Sequence, residues 1–424
     1  MILVDISSIM HRMVFGSTKD ASNIRKKDGK YITEDFIGLT LYYIMSELID
    51  IQLKYKEYGE IVICFDDYKK TYWRRDIWPN YKLSRKITRE KSDNPINYKE
   101  VYSYTNGLFE QIQKNTPWKC VYVNRAEADD IILVLAKEYS HEGVLILSPD
   151  KDFIQSQRSP NVKQYSTLTK KWIYPETKHS TMDEWIFEHV FTGDASDNVP
   201  KITDFTEFSE NFIKHIQNYN SKNNAQIPLT VKAFKKVPRD ILQDIISSYD
   251  IKNYNKKGED IGLDIYKNKR FGPSDVKKIT TGEYFVKKQK DRINEEIKSL
   301  RLKKKNITDK ENRKEIQTKI NALKEKAKNI KPDTKSVDER VELFLSEHEL
   351  YKEHYERNFT LVMEEGIPDY IRANILMEYK SGSTSYNEEE FMKYLDSVNL
   401  GAIKPKLPIV FDSHTELDIS NCGW

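Results

Sequence analysis

Residues 124–152, NRAEADDIILVLAKEYSHEGVLILSPDKD, constrain the fold of this chain more than any other stretch. Glu127, Asp129 and Asp130 open an apolar run of helical length, Ile131 to Ala136. Gly143 breaks that run. Val144–Leu147 is then short, wholly apolar and bounded by turn residues, which predicts a buried strand. The strand leads into Ser148-Pro-Asp-Lys-Asp152. One acidic group therefore opens a helix, and another leaves the end of the strand that follows. In α/β sheets, ligand sites lie beyond the carboxyl ends of strands. Carboxylates gathered there repel one another unless a cation sits between them, and a divalent metal is the usual answer. Each feature alone also has a bland explanation. Acids at a helix start complement the macrodipole, and Asp after a strand is ordinary turn chemistry.

The arrangement recurs three times. Residues 2–4, Ile-Leu-Val, predict a strand ending at Asp5, followed by a polar turn at Ser7 and Ser8. Residues 35–58 have amphipathic helical spacing, with Phe36, Leu39, Tyr43, Leu48 and Ile51 on the buried side and Gly59 as the stop. Ile61–Phe65 is the next strand, ending at Asp66 and Asp67. A helix over Met182–Phe191 leads into Thr192-Gly-Asp-Ala-Ser-Asp-Asn-Val-Pro200, where Asp194 and Asp197 share one turn. Further strands are expected at Cys120–Val123, Val162–Tyr165 and Lys171–Tyr174, and a helix over 98–114. The fold class is α/β: a mostly parallel sheet flanked by helices, with a helical C-terminal part.

Residues 68–91 alternate cations with rings. Lys69, Lys70, Arg74, Arg75, Lys82, Arg85 and Lys86 interleave with Tyr68, Tyr72, Trp73, Trp78 and Tyr81. Cations for phosphates and rings for bases would make a single-stranded nucleic-acid surface. The alternative is a solvated helix with its rings buried. The net charge of +3 gives no global basic field, so local distribution has to carry any such argument. Residues 286–330 hold 16 Lys/Arg and 7 Asp/Glu, which is +9 against −6 for the rest of the chain. There Ile293, Ile297 and Leu300 match Ile316, Ile320 and Leu323 in spacing, and Thr308-Asp-Lys-Glu311 fits a capping box. Two antiparallel helices packed as a short coiled coil are expected. Residues 202–269 look like an insertion of weak helices, 337–399 mostly helix, and 400–424 an extended or loose tail.

Three cysteines, Cys64, Cys120 and Cys422, form neither a metal spacing nor a disulfide framework. With no signal peptide and no apolar run of transmembrane length, a soluble cytoplasmic protein is expected. No His–Ser–Asp or Cys–His pattern stands out. The eight histidines are scattered, with His11 and His189 near acidic segments.

What remains is a constellation of eight carboxylates from five segments: Asp5, Asp66, Glu127, Asp129, Asp150, Asp152, Asp194 and Asp197. Two hard cations held this way can clamp both oxygens of an in-line phosphodiester displacement. The segments ILVDISSIMHR, VICFDDYKKTYWRRDIWPNYKLSR, RAEADDIILVLA, LILSPDKDF and TGDASDNVP resemble, in order, the acidic motifs of the 5′-nuclease superfamily. That superfamily includes flap endonucleases and the 5′-nuclease domain of bacterial DNA polymerase I. YWRRD and EADD look most like the ribonuclease H group of T-even-like bacteriophages, which are 5′→3′ exonucleases. Residues 350–380 look similar to the C-terminal region of that group.

The resemblance implies a PIN-like core and two Mg2+ ions, with Mn2+ as a substitute. Asp5, Asp66, Asp129 and Asp150 would serve one ion. Asp152, Asp194 and Asp197 would serve the other, with Glu127 between. Asp67 and Asp130 would support their neighbours. Residues 68–97 would be the arch that threads a free 5′ end, with Arg74, Arg75, Lys82, Arg85 and Lys86 contacting nucleic acid. The family's helix–hairpin–helix, with its K+ ion, normally follows the GDxxDN segment. Here Pro200 is followed by Lys-Ile-Thr-Asp-Phe, and Phe271-Gly-Pro-Ser-Asp-Val-Lys-Lys-Ile279 resembles its second half. Gly272, Ser274 and Lys277 are the expected contacts of such a split motif. The expected organisation is a nuclease core at 1–200, the split motif with its insertion at 201–285, a basic hairpin at 286–336 and a helical region at 337–424. The implied activity is 5′→3′ exonuclease and flap cleavage of RNA or DNA strands annealed to DNA, by a monomer that removes RNA primers in phage replication. A single-stranded-DNA-binding protein and a sliding clamp are the implied partners, in the host cytoplasm. Two alternatives are a single-strand endoribonuclease on the same core and a non-catalytic DNA-junction binder; the latter would favour a gap in the carboxylate set, and none is visible.

Overall fold

The computed structural model describes residues 1–20, 26–27, 30–31, 33–83, 85, 98–175, 181–202, 218, 220–222, 240, 272–347, 349–381 and 386–411. They divide into two compact units. The first comprises 1–79, 86–175 and 363–424, and the second 80–85 and 176–362.

The first unit is built on a six-stranded sheet of order β5-β4-β1-β6-β7-β8. The strands are β1 (Ile2–Asp5), β4 (Ile61–Phe65), β5 (Lys119–Tyr122), β6 (Val144–Leu147), β7 (Val162–Ser166) and β8 (Lys171–Ile173). All neighbours pair parallel except β7 with β8. A separate antiparallel pair, β2 (Lys26–Lys27) and β3 (Lys30–Tyr31), follows the first helix. β1, β4 and β6 read as continuous apolar runs because helices cover both faces of the sheet. Ile2, Val4, Ile61, Ile63, Leu145 and Leu147 point into one core. Leu3, Val62, Cys64, Val144 and Ile146 point into the other. The chain runs from β1 outward to β4 and β5, then returns to β6 on the other side of β1. That reversal is the topological switch point, where such sheets place their sites.

Helices α1 (Ile6–Asp20), α2 (Thr33–Lys54) and, after the single-turn α3 (Arg74–Ile77), α4 (Tyr98–Asn115) follow in the chain, and α1, α2 and α4 cover the first face. Helix α5 (Ala128–Glu138) covers the second. Two expectations change here. The polar Ser7-Ser8 stretch is the first turn of α1, because Asp5 caps it: the Ser8 amide donates to Asp5 Oδ1 at 3.2 Å. The stretch Phe36–Lys54 is long and apolar enough to cross a membrane by length and composition, contrary to the reading above. In this fold Leu41, Ile44, Met45, Leu48 and Ile49 of that helix are buried in the first core.

The C-terminal segment of this unit packs on both faces. Helix α12 (Asp369–Ser381) places Ile371, Ile375 and Tyr379 in the second core. Helix α13 (Glu388–Ser397) and residues 401–411 contribute Phe391, Leu395, Ile403, Leu407 and Val410 to the first. The expected loose tail is therefore helical from Gly401 to Phe411, as a 3-10 turn followed by α14 (Leu407–Phe411). Pro405 and Pro408 obscured that in the sequence, and burial of the apolar residues overrides them.

The second unit contains α6 (Met182–Thr192), α7 (Pro273–Thr280), α8 (Glu283–Asn306), α9 (Lys310–Asn329), α10 (Val337–Ser346) and α11 (Glu349–Val362). Its core joins Phe187, Phe191, Ile202, Val276, Ile279, Phe344 and Tyr351. α8 and α9 form the expected hairpin, with Ile293, Ile297 and Ile320 buried in its seam. Asp309, not Thr308, caps α9, accepting from the amides of Glu311 and Asn312. The insertion 203–269 lies almost wholly outside the described residues, as do Lys86 and the rest of the expected arch from 86 to 97.

Candidate active site

Three adjacent parallel strands deliver the acids. β1 ends in Asp5, β4 is followed by Asp66, and β6 is followed by Ser148-Pro-Asp150. The register sets Asp5 opposite Cys64 on β4, while Val4 pairs with Leu147 on β6. Ser148 therefore comes level with Asp5, and its hydroxyl donates to Asp5 Oδ2 at 2.9 Å. Asp66 is held between two elements. Its Oδ1 accepts from the Ala128 amide at 2.9 Å, and its Oδ2 from the Ser7 hydroxyl at 3.0 Å. Ala128 is the first residue of α5, so Asp66 sits on an amide that the helix itself cannot satisfy. Asp129 is the next residue of the same helix. Asp150 is exposed and caps the short 3-10 helix Lys151–Arg158 by accepting from the Asp152 amide at 3.1 Å.

The electrostatics follow from this crowding. Burial, and then the neighbouring charges of Asp66 and Asp150, push the Asp5 carboxyl up to about 6, although hydrogen bonds from Ser148 and Ser8 act the other way. Cys64 behind it is held far above its ordinary range by burial and then by Asp5, with Asp129 contributing less. Burial thus favours the neutral thiol. Among the described residues, no three carboxylate, imidazole or thiol groups stand close enough together to cage an ion. The donor set still fits a hard divalent cation. It is all oxygen, it is crowded with like charge, and each oxygen of Asp5 and Asp66 takes one donor and keeps one lone pair.

Several expected site residues have other places. Glu127 is 1% exposed and ion-paired to Arg74 at 3.0 Å. Arg74 is itself buried and also pairs with Asp130 at 2.8 Å. Asp130 further accepts from Trp73 Nε1 at 3.0 Å and from the Glu127 amide at 2.9 Å. Glu127 thus stands at the N-cap of α5 facing Arg74, and Arg74 is the buried counter-ion of both Glu127 and Asp130. Buried charges demand such partners. Asp67, expected as support, accepts from the Thr71 amide and hydroxyl and from Tyr122. Of the five rings in the basic-aromatic segment, only Tyr68 is exposed; Tyr72, Trp73, Trp78 and Tyr81 are 7% exposed or less. The single-strand stacking surface is thereby corrected to a packed segment, because the rings complete cores instead of meeting bases. Arg75 lies half-buried over the Tyr72 ring.

In the second unit Asp194 folds the turn: its carboxylate accepts from the Ser196 amide at 2.7 Å and hydroxyl at 3.0 Å. Asp197 is buried and held by three groups. Lys82 lies 3.3 Å away, Arg85 pairs with its other oxygen, and the Tyr81 hydroxyl donates at 2.9 Å. Burial alone would raise its carboxyl; Lys82 and Arg85 more than reverse that and hold it low. Expected metal ligand and expected nucleic-acid contacts are thus joined to one another. Arg85 keeps 43% of its side chain exposed.

Gly272 has extended backbone and open space where a Cβ would go. Ser274 and Lys277 are exposed on α7, in a cavity of about 160 Å³ whose wall includes Glu184 and Glu188. The glycine that is required is Gly193. Its φ is +58°, and a Cβ there would lie 2.4 Å from the Pro200 carbonyl oxygen. Sequence reasoning also missed Asn358, which donates to the carbonyls of Val190 and Pro200 at 3.0 and 2.8 Å and closes the same turn.

Residues 1–188 match the family model described as 5′-3′ exonuclease, N-terminal resolvase-like domain. This part of the chain is similar to the N-terminal domain of the 5′-3′ exonucleases. Ribonuclease H of Enterobacteria phage T4 is 34% identical over 153 residues, which cover 36% of this chain and 49% of that protein. The 5′-3′ exonuclease of Buchnera aphidicola is 31% identical over 166 residues, covering 38% and 54%. The chain thus spans about half the length of these relatives. A structure of bacteriophage T5 5′-exonuclease with divalent zinc ions covers 58% of this chain and 93% of its own, at 16% identity and a TM-score of 0.38. A T5 flap endonuclease with DNA and metal ions covers 51% and 74%, at 14% identity and a TM-score of 0.35. Asp5, Asp66, Asp129 and Asp150 all lie inside the 5′-nuclease match.

Proposed function

We propose that this protein hydrolyses phosphodiester bonds of RNA or DNA strands annealed to DNA, working from free 5′ ends and at flaps, in RNA-primer removal during phage replication. The observation that carries the reading is that the neighbouring strands β4, β1 and β6 lead side by side into Asp66, Asp5 and Ser148-Pro-Asp150, with the first amide of α5 donating to Asp66. The family match of residues 1–188 and the resemblance to ribonuclease H of phage T4 support it.

Asp5, Asp66, Asp129 and Asp150 are the residues that would hold Mg2+. The bound ion would acidify a water and neutralise charge developing on the phosphoryl oxygens. The chain's own part is orientation. Ser148 and Ser8 fix Asp5, and Ser7 and the Ala128 amide fix Asp66, so neither carboxylate has to reorganise to receive a cation. Two ions per chain, as the resemblance implies, and tolerance of Mn2+ belong to the same proposal.

A competing reading is a single-strand endoribonuclease on this core. The burial of four of the five arch rings favours it. One assay separates the two: a 5′-labelled flap, a nicked RNA–DNA hybrid and free single-stranded RNA, each with and without magnesium. Metal-dependent release from the flap and the hybrid supports the proposal. Cleavage confined to free RNA rejects it.

A further inference from the structure

The α8–α9 hairpin has no role in the chemistry above. α8 has 24 residues and α9 has 20, so the arms are about 36 and 30 Å long. Its apolar side is already consumed by its own seam of Ile293, Ile297 and Ile320, with Leu300, Ile316 and Leu323 against them. The outer surface is therefore not a face waiting for an apolar partner.

Its charge is concentrated at the tip. Residues 298–314 contain eight Lys/Arg and two Asp/Glu. One of the two acids, Asp309, is the cap of α9. Lys298, Arg301 and Lys305 follow i, i+3, i+7 spacing along one arm, and Lys310, Arg313 and Lys314 follow i, i+3, i+4 spacing along the other, so each set shares a helix face. Arg301, Lys303, Lys305, Lys310, Arg313 and Lys314 are all exposed. Among the described residues, none of these six forms an ion pair, although Lys319–Glu315 and Lys328–Glu325 pairs exist nearer the base. Eight like charges crowded at one end repel each other, and helices stabilised by charge normally alternate sign. A polyanion is the partner that relieves this.

The kind of polyanion follows from what the hairpin lacks. Residues 286–330 contain no Phe, Tyr or Trp, so nothing there can stack on an exposed base. A straight, rigid row of cations without rings suits the regular phosphate ladder of a duplex. We propose that the tip of the α8–α9 hairpin is a sequence-independent binding arm for the phosphate backbone of duplex nucleic acid. The proposal rests on the nuclease reading for its choice of nucleic acid over other polyanions.

The test uses the full chain carrying Arg301→Gln, Lys305→Gln, Arg313→Gln and Lys314→Gln together. Gln keeps helix propensity close to that of Arg and Lys, and circular dichroism with a thermal melt verifies the fold. Binding to a covalently closed duplex circle is measured in EDTA over a salt series. The circle has no 5′ end and EDTA removes divalent metal, so a failed nuclease reading, scored separately on the magnesium flap assay, leaves this result interpretable. The expected result is affinity weakened by at least about 10-fold near physiological salt, and a log–log salt slope smaller by roughly three to four, at about 0.9 for each of the four lost phosphate contacts. Unchanged affinity and slope overturn the proposal. So does an equal loss on a closed single-stranded circle, which would make the tip a general polyanion patch.

Discussion

Lys82 Nζ lies 3.3 Å from the carboxylate of Asp197, so two residues the sequence assigns to opposite partners hold each other. This ties the start of the expected arch to the GDASDN turn within one unit. Asp197→Asn should destabilise the protein by about 1–3 kcal/mol, since it removes the carboxylate charge that Lys82 and Arg85 face at a buried position. The sign with pH follows from a folded carboxyl held below its ordinary range. Its contribution is full above about pH 4 and disappears as pH falls through the lower folded value. Urea melts at pH 7 and pH 2.5 check this: the gap between wild type and variant should close at the lower pH.

Asp5 behaves in the opposite way. Its carboxyl is pushed up to about 6, so the metal-free fold binds that proton more tightly than the unfolded chain does. Stability should fall as pH rises from about 4 to 6 and then level off. Asp5→Asn should stabilise the metal-free protein at pH 7.5 by up to about 3 kcal/mol, give no gain at pH 4, and abolish hydrolysis. Magnesium should raise the wild-type Tm more at pH 7.5 than at pH 5. Thermal melts across that range are the measurement; a Tm unmoved by magnesium at every pH would falsify the metal role of this carboxylate.

Asp129→Asn and Asp150→Asn keep shape and remove charge. Each should lower kcat on a flap substrate by at least about 100-fold while leaving substrate Kd within a few-fold, because ions held by these groups stabilise charge that develops only in the transition state. Single-turnover kinetics in saturating magnesium decide it. Near wild-type rates in either variant would remove that residue from the site.

Arg74→Ala should act through stability, not substrate affinity. It removes the cation that neutralises Glu127 and Asp130 at buried positions, with a cost of about 3–5 kcal/mol. The variant should melt far below wild type. Any fraction still folded at low temperature should bind duplex normally. A stable Arg74→Ala protein with selectively weakened nucleic-acid binding would restore the contact role.

Gly193→Ala places a Cβ against the carbonyls of Val199 and Pro200 at a φ of +58°. It should cost more than about 1 kcal/mol and disturb the turn bearing Asp194 and Asp197. Gly272→Ala, with open space around it, should be close to neutral. The pair, measured by chemical denaturation, separates the glycine that the fold requires from the one that sequence pattern singled out.

The strands ending in Asp5, Asp66 and Ser148-Pro-Asp150 were legible in the sequence, because short apolar runs followed by acids have few other meanings in an α/β chain. So was the α8–α9 hairpin, since its seam repeats at helical spacing. These are local signals, carried by neighbours in the chain. What only the tertiary structure decided is which charges stay free. Arg74, Lys82 and Arg85 look alike in sequence, as do Glu127, Asp130 and Asp197. Each is assigned by a partner 53 to 116 residues away, and burial forces the pairing because an isolated charge in a core is too costly. Rings between cations read equally well as a stacking surface or as core, and only packing settles Tyr72, Trp73, Trp78 and Tyr81 as core. The requirement for Gly193 was likewise hidden, because a steric clash with the Pro200 carbonyl exists only once the turn has closed.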